Sequence, residues 1–112
     1  MTETKAIKKK LNGMGHVLWI NLDTETDRRD HMTGLFNFYG IDNTRISAID
    51  ASGDNDVSYF LVGKFPELVT QGELGCALSH LKAIKYFYYE TDLDYIIIAE
   101  DDIVFDTVEN WP

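Results

Sequence analysis

An unbroken apolar run, Tyr95–Ala99, that ends in three consecutive carboxylates, Glu100, Asp101 and Asp102, constrains this chain more than any other stretch. Ile96, Ile97 and Ile98 in succession predict a β-strand covered on both faces, as in a parallel sheet, because a half-solvated strand would alternate apolar and polar residues. The acidic end carries a cost. Adjacent carboxylates repel one another and burial penalises each charge, so protonation, basic partners or a bound cation must compensate. Extended geometry would point Glu100 and Asp102 one way and Asp101 the other. Open α/β sheets bind ligands outside the carboxyl ends of their strands, where this cluster falls. Its hard oxygens suit Mg2+ or Mn2+, which could bridge to a diphosphate. The plainer alternative is a solvated acidic turn.

Upstream, Gly72–Tyr89 has helical periodicity. Leu74, Ala77, Leu78, Leu81, Ile84 and Tyr88 form one stripe expected to face a core, and Glu73, Cys76, His80, Ala83 and Phe87 form a second beside it. Lys82, Lys85, Tyr86 and Tyr89 are left for the wetter side. Cys76 is the only cysteine, which excludes an internal disulfide, and its stripe position predicts a buried thiol. Ser79 and His80 are adjacent, and adjacent helical residues diverge, so they do not make a hydrolase triad.

Towards the amino terminus, residues 1–15 read as a flexible basic arm with Lys5, Lys8, Lys9 and Lys10, and residues 16–112 as one α/β domain. His16–Asn21 reads as the first strand, delivering Asn21, Leu22 and Asp23 into a polar loop where Thr26 or Asp27 caps a helix. Met32, Leu35, Phe36 and Tyr39 face inward and Gly40 ends that helix. Arg28 and Arg29 sit in its first turn, where cations oppose the helix dipole. A bound anion would explain them, and so would ion pairs to Asp23, Asp27 or Asp30. Thr44–Ile49 reads as a second strand, with Asp50 at its end, where a cap or turn aspartate is the plain reading. Residues 52–71 show no clear pattern, which suggests either a functional lid or a mobile segment. His16 and His31 lack partner spacing and read as structural or surface residues.

With 112 residues and 45% hydrophobic content the chain can bury one core. A net charge of −9 argues against a nucleic-acid surface and makes any anionic ligand depend on local positive groups. No apolar segment follows the basic arm or reaches membrane-spanning length, so a cytoplasmic location without a transmembrane segment is expected.

GELGCALSH, followed after a helix by IIIAEDDIVFD, resembles the signature of glycosyltransferase family 25, the lipopolysaccharide and procollagen galactosyltransferase group, and INLDTETDRRDHM resembles its opening motif. The resemblance runs in order from about Val17 to Asp106. It implies a Rossmann-like parallel sheet with flanking helices, the nucleotide-binding half of a GT-A fold, as the amino-terminal part of a longer enzyme. EDD is similar to the metal-binding DxD motif of such enzymes, which assigns Glu100, Asp101 and Asp102 to Mn2+ or Mg2+ and a UDP-sugar, UDP-galactose or UDP-glucose. Asn21, Asp23, Arg28 and Arg29 become candidates for nucleotide contact, together with Asp50, and Glu73, Ser79 and His80 become donor-site candidates. One departure from the family pattern stands at AIDAS, where Ala51 replaces a turn glycine and its Cβ disfavours positive φ. Catalytic residues, acceptor and oligomeric state have no assignment. Two other readings compete: a non-catalytic sugar-nucleotide-binding or interaction module that retains the fold, and, more weakly, a receiver-like domain with an acidic pocket.

Overall fold

The computed structural model describes residues 14–51 and 70–105. The basic arm and the 52–69 stretch fall outside the described residues, apart from the arm's last two positions.

Three strands and two helices alternate along the chain: β1 (Val17–Asn21), α1 (Thr26–Tyr39), β2 (Asn43–Ser47), α2 (Gln71–Glu90) and β3 (Ile97–Glu100). The strands form one parallel sheet in the order β2-β1-β3. The expected parallel neighbours are present, with β2 and β3 displaced by one or two residues from the ranges read in the sequence.

Alternation along β1 divides the core in two. Val17 and Trp19 pack with Met32, Phe36, Tyr39, Ala99 and Phe105 on the α1 side, while Leu18 and Ile20 pack with Ile46 and Ala83 on the α2 side. Trp19 and Phe36 meet at 5.6 Å between ring centroids. Right-handed crossovers running from β1 out to β2, and then back past β1 to β3, require the two helices to lie on opposite faces, as they do. The chain therefore reverses direction across the sheet between β1 and β3, the kind of switch point where open α/β sheets hold ligands.

Three expectations are corrected. The strand buried on both faces is β1, every residue of which is buried. β3 lies at an edge of the described sheet with Ile97 and Ile98 half-buried, and Tyr95 precedes the strand and is 59% exposed. A run of isoleucines reports apolarity but not the number of neighbouring strands. On α2, the buried residues are Leu74, Gly75, Leu78, Ser79 and Ala83, while Leu81, Ile84 and Tyr88 of the expected core stripe are exposed. Small residues at 75, 79 and 83 let the helix backbone come close to β2, and that close approach decides the inward face. A Cβ on Gly75 would lie 2.8 Å from the Ile49 carbonyl oxygen. Finally, neither Thr26 nor Asp27 caps α1. Its N-cap is Glu25, with no side-chain cap bond.

Other local readings hold. Met32, Phe36 and Tyr39 are buried, with Leu35 packed beside them. Gly40 ends α1 at φ 64°, a left-handed conformation that suits glycine. Ala51 needs no such conformation, since no described non-glycine residue has positive φ, and its methyl group packs against Leu74 and Leu78. The capping box at the start of α2 went unread in the sequence although T-Q-G-E spells it out: the Thr70 hydroxyl accepts from the Glu73 amide at 3.0 Å and the Glu73 carboxylate accepts from the Thr70 amide at 2.9 Å.

Candidate functional site

The carboxyl ends of all three strands open into a cavity of ≈ 360 Å³, within the range of about 300–1,000 Å³ usual for small-ligand sites. Its charged lining consists of Arg28 from the first turn of α1, Asp50 after β2, and Glu100 and Asp101 at the end of β3. Gly75, Cys76 and Ser79 of α2 form one wall.

Glu100 and Asp101 point to opposite faces, as extended geometry requires. Glu100 faces α2, where its Oε2 lies 3.3 Å from His80 Nε2 and accepts from the Cys76 thiol at 3.5 Å. Asp101 faces α1, where its carboxylate accepts from Asn21 Nδ2 at 2.8 Å and from Arg28 at 3.4 Å. Asp102 is exposed in the turn that follows and has no hydrogen-bond partner among the described residues. Repulsion within the triplet is thus relieved partly by divergence and partly by donors.

Asn21 joins the elements beneath this mouth. It is 1% exposed, and its amide nitrogen donates to Asp101 and to the Glu25 carbonyl at 3.2 Å while its Oδ1 accepts from Arg45 Nε at 2.9 Å. Its polar atoms are satisfied by the protein, so Asn21 positions Asp101 from behind the cavity wall. Arg45 was not among the residues singled out from the sequence. It also donates to the Asn21 carbonyl at 3.0 Å and to Asp23 Oδ1 at 2.6 Å, and the Ser47 hydroxyl donates to the same Asp23 oxygen at 2.8 Å. A lone cation within a predicted strand was the available signal.

The remaining candidates separate. Arg28 lines the cavity, whereas Asp23 and Arg29 do not. Glu73 serves the capping box. Ser79 is 1% exposed, donates to the Gly75 carbonyl at 2.7 Å and accepts from the Ile49 amide at 2.8 Å, which pins α2 to the segment after β2. Asp50 lines the cavity as the strand-end rule anticipates. Cys76 is exposed, contrary to the buried thiol expected of it, because α2 turns its neighbours Gly75 and Ser79 towards the sheet. Partial desolvation, reinforced by the hydrogen bond to Glu100 and its charge, raises the Cys76 thiol above its ordinary value.

Two exposed carboxylates titrate low. Hydrogen bonds from Arg45 and Ser47 hold Asp23 below its ordinary 3.8, and the backbone and side-chain bonds of the capping box hold Glu73 below 4.5. A depressed folded-state pKa adds stability above the unfolded value that is lost as pH falls through the folded one. Urea midpoints should therefore fall on acidification below those values, and Asp23→Asn with Glu73→Gln should flatten the decline. An unchanged slope in the double variant would refute this origin.

No helix among the described residues is long and apolar enough to cross a membrane. No solved structure gives a significant match. The chain is 33% identical over 109 residues to a glycosyltransferase 25 family member of Drosophila pseudoobscura pseudoobscura, covering 88% of this chain and 17% of that protein. It is 31% identical to a namesake from Drosophila melanogaster, over 93% of this chain and 18% of that protein. A protein of Haemophilus influenzae is 33% identical over 82% of this chain, which spans 34% of its length. The chain thus spans less than a fifth of the insect relatives. The model of glycosyltransferase family 25 (LPS biosynthesis protein) matches residues 14–110. That match takes in β1 with its hub asparagine, the α2 wall and the acidic end of β3 together, and this chain belongs to glycosyltransferase family 25.

Proposed function

We propose that this chain is the donor-binding half of a family 25 glycosyltransferase, taking a UDP-sugar, UDP-galactose or UDP-glucose, together with Mn2+ or Mg2+ at the Glu100–Asp102 strand end. The observation that carries this reading is the charge of the cavity: three carboxylates, Asp50, Glu100 and Asp101, against one guanidinium, Arg28. A diphosphate alone would be repelled by such a lining in a chain of net charge −9. A divalent cation entering with it cancels the net −2 of three carboxylates and one guanidinium, and the hard oxygens at the cavity mouth fit Mn2+ or Mg2+. Glu100, Asp101 and Asp102 would hold the cation, which would supply charge neutralisation for a leaving diphosphate.

The protein's own groups then have distinct roles. Arg28, with its side chain 59% exposed at the amino end of α1, is placed to pair with phosphate oxygens alongside the helix dipole. Asp50 accepts a ribose hydroxyl. Asn21 and Arg45 hold Asp101 and Asp23 in place without touching the donor. Asp102, exposed in its turn, is free to take the cation.

The cation and the nucleotide should bind as a pair. Calorimetry should show Mn2+ binding to the 112-residue chain at least about tenfold more tightly with UDP present than without it. Asp102→Asn should remove the UDP-linked gain, while Asp92→Asn, in an exposed loop, should preserve it. If Mn2+ affinity ignores both UDP and Asp102→Asn, the triplet is a solvated turn, and a module without turnover is the reading to adopt.

A further inference from the structure

Taking Glu100 from the acidic triplet that the donor reading assigns to Mn2+ or Mg2+, we infer that Cys76, His80 and Glu100 form a separate site for a zinc-class transition-metal ion at the rim of the cavity. Cys76 and His80 stand four residues apart on α2, one turn apart on the same face. Glu100 reaches them from the sheet face that α2 covers. The three ligand atoms all lie within 4.8 Å of one another, and this is the only such His, Cys, Asp or Glu grouping among the described residues.

The two spacings to Glu100 are those of a coordination shell, and the sulfur and nitrogen lie within 4.8 Å of each other. Zn2+ bonds of about 2.3 Å to sulfur and about 2.0 Å to nitrogen and oxygen, set at tetrahedral angles, give ligand-to-ligand edges of about 3.5 Å from sulfur to oxygen and about 3.3 Å from nitrogen to oxygen. The corresponding distances here are 3.5 Å from Cys76 Sγ to Glu100 Oε2 and 3.3 Å from His80 Nε2 to the same oxygen. An imidazolium–carboxylate hydrogen bond would favour about 2.7–2.9 Å instead.

Ligand chemistry selects the ion. A thiolate and an imidazole favour Zn2+ and its neighbours over Mg2+ or Mn2+, whose preference is for oxygen. Binding releases the thiol proton to solvent. Three protein ligands leave the fourth tetrahedral position open to water or an incoming anion, unlike a closed four-ligand structural site. Cys76 and Glu100 also line the cavity, so the open position belongs to its rim. Glu100 is committed to α2 in this arrangement, which leaves Asp101 and Asp102 to the donor side.

Cobalt makes the thiolate visible. The reduced, metal-stripped 112-residue chain titrated with Co2+ should develop a thiolate-to-cobalt charge-transfer band in the near ultraviolet and tetrahedral bands in the visible, bleached by one equivalent of Zn2+. Cys76→Ser should abolish the charge-transfer band, and His80→Gln should weaken Co2+ binding at least about tenfold. Asp102→Asn should leave the spectrum intact, so this result and the UDP-linked Mn2+ measurement fail separately. A wild-type chain without the charge-transfer band, or a band that survives in Cys76→Ser, would overturn the site. The wild-type spectrum decides even if a variant does not fold.

Discussion

Asn21→Leu should unfold most of the molecule under conditions where the wild-type chain is folded. The replacement keeps nearly the same volume at a position 1% exposed, so the effect isolates the carboxamide. Leucine would strip Asp101 of its 2.8 Å donor and the Arg45 Nε of its acceptor, while the Glu25 carbonyl at the amino end of α1 would lose one of two donors and keep the Arg29 amide. Each buried polar group left unsatisfied costs about 1–3 kcal/mol, and more where it is charged. Arg45 keeps Asp23 and the Asn21 carbonyl, and Asp101 keeps Arg28, which limits the total to about 3–5 kcal/mol. Small domains have little more than that in reserve. Urea unfolding followed by far-ultraviolet circular dichroism is the measurement. A loss below about 1 kcal/mol would show that the carboxamide network is not what ties β1 to the acidic end of β3.

Gly75→Ala should destabilise the chain, although alanine is the better helix former by about 1 kcal/mol. The new methyl group would meet backbone rather than a movable side chain, at 2.8 Å from the Ile49 oxygen and 3.4 Å from the Ala51 nitrogen. Overpacking of this kind costs about 1–3 kcal/mol, and it would push α2 away from β2 at the wall that Gly75, Cys76 and Ser79 give the cavity. Gly34 supplies the control. It is exposed in α1 with nothing within 4 Å of an added Cβ, so Gly34→Ala should stabilise by up to about 1 kcal/mol. Opposite signs at two helical glycines would confirm that close approach, and not propensity, governs position 75. If both stabilise, α2 does not dock as described.

Residue 75 also shows where sequence reading reached its limit. The helix itself was legible, since its periodicity spans many residues and depends on local spacing. Its orientation was legible only in part, at Leu74 and Leu78. Leu81, Ile84 and Tyr88 are the larger apolar residues and drew the expected inward stripe, yet they lie outward because only the line of Gly75, Ser79 and Ala83 lets the backbone come near enough for Ser79 to accept from the Ile49 amide. The same limit applies to Arg45. A cation in a strand is unremarkable until β1 is placed beside β2 and Asn21 and Asp23 come within its reach.

By itself the sequence determined the alternation of three strands and two helices, the left-handed end of α1 at Gly40, and the delivery of Asp50 and Glu100–Asp102 to strand ends, because these depend on local spacing and conformational preference. Its motifs also carried the resemblance to glycosyltransferase family 25. Tertiary structure decided that β1 is central and β3 an edge in the described sheet, which face of α2 meets that sheet, and which donor each carboxylate receives. Those outcomes depend on crossovers tens of residues long and on how closely backbones approach, as where a Cβ on Gly75 would lie 2.8 Å from the Ile49 oxygen. Glu100 and Asp101 are adjacent in the chain, but one belongs to α2 and the other to α1, because alternation along an extended strand sends neighbours to opposite faces and each face of this sheet carries its own helix.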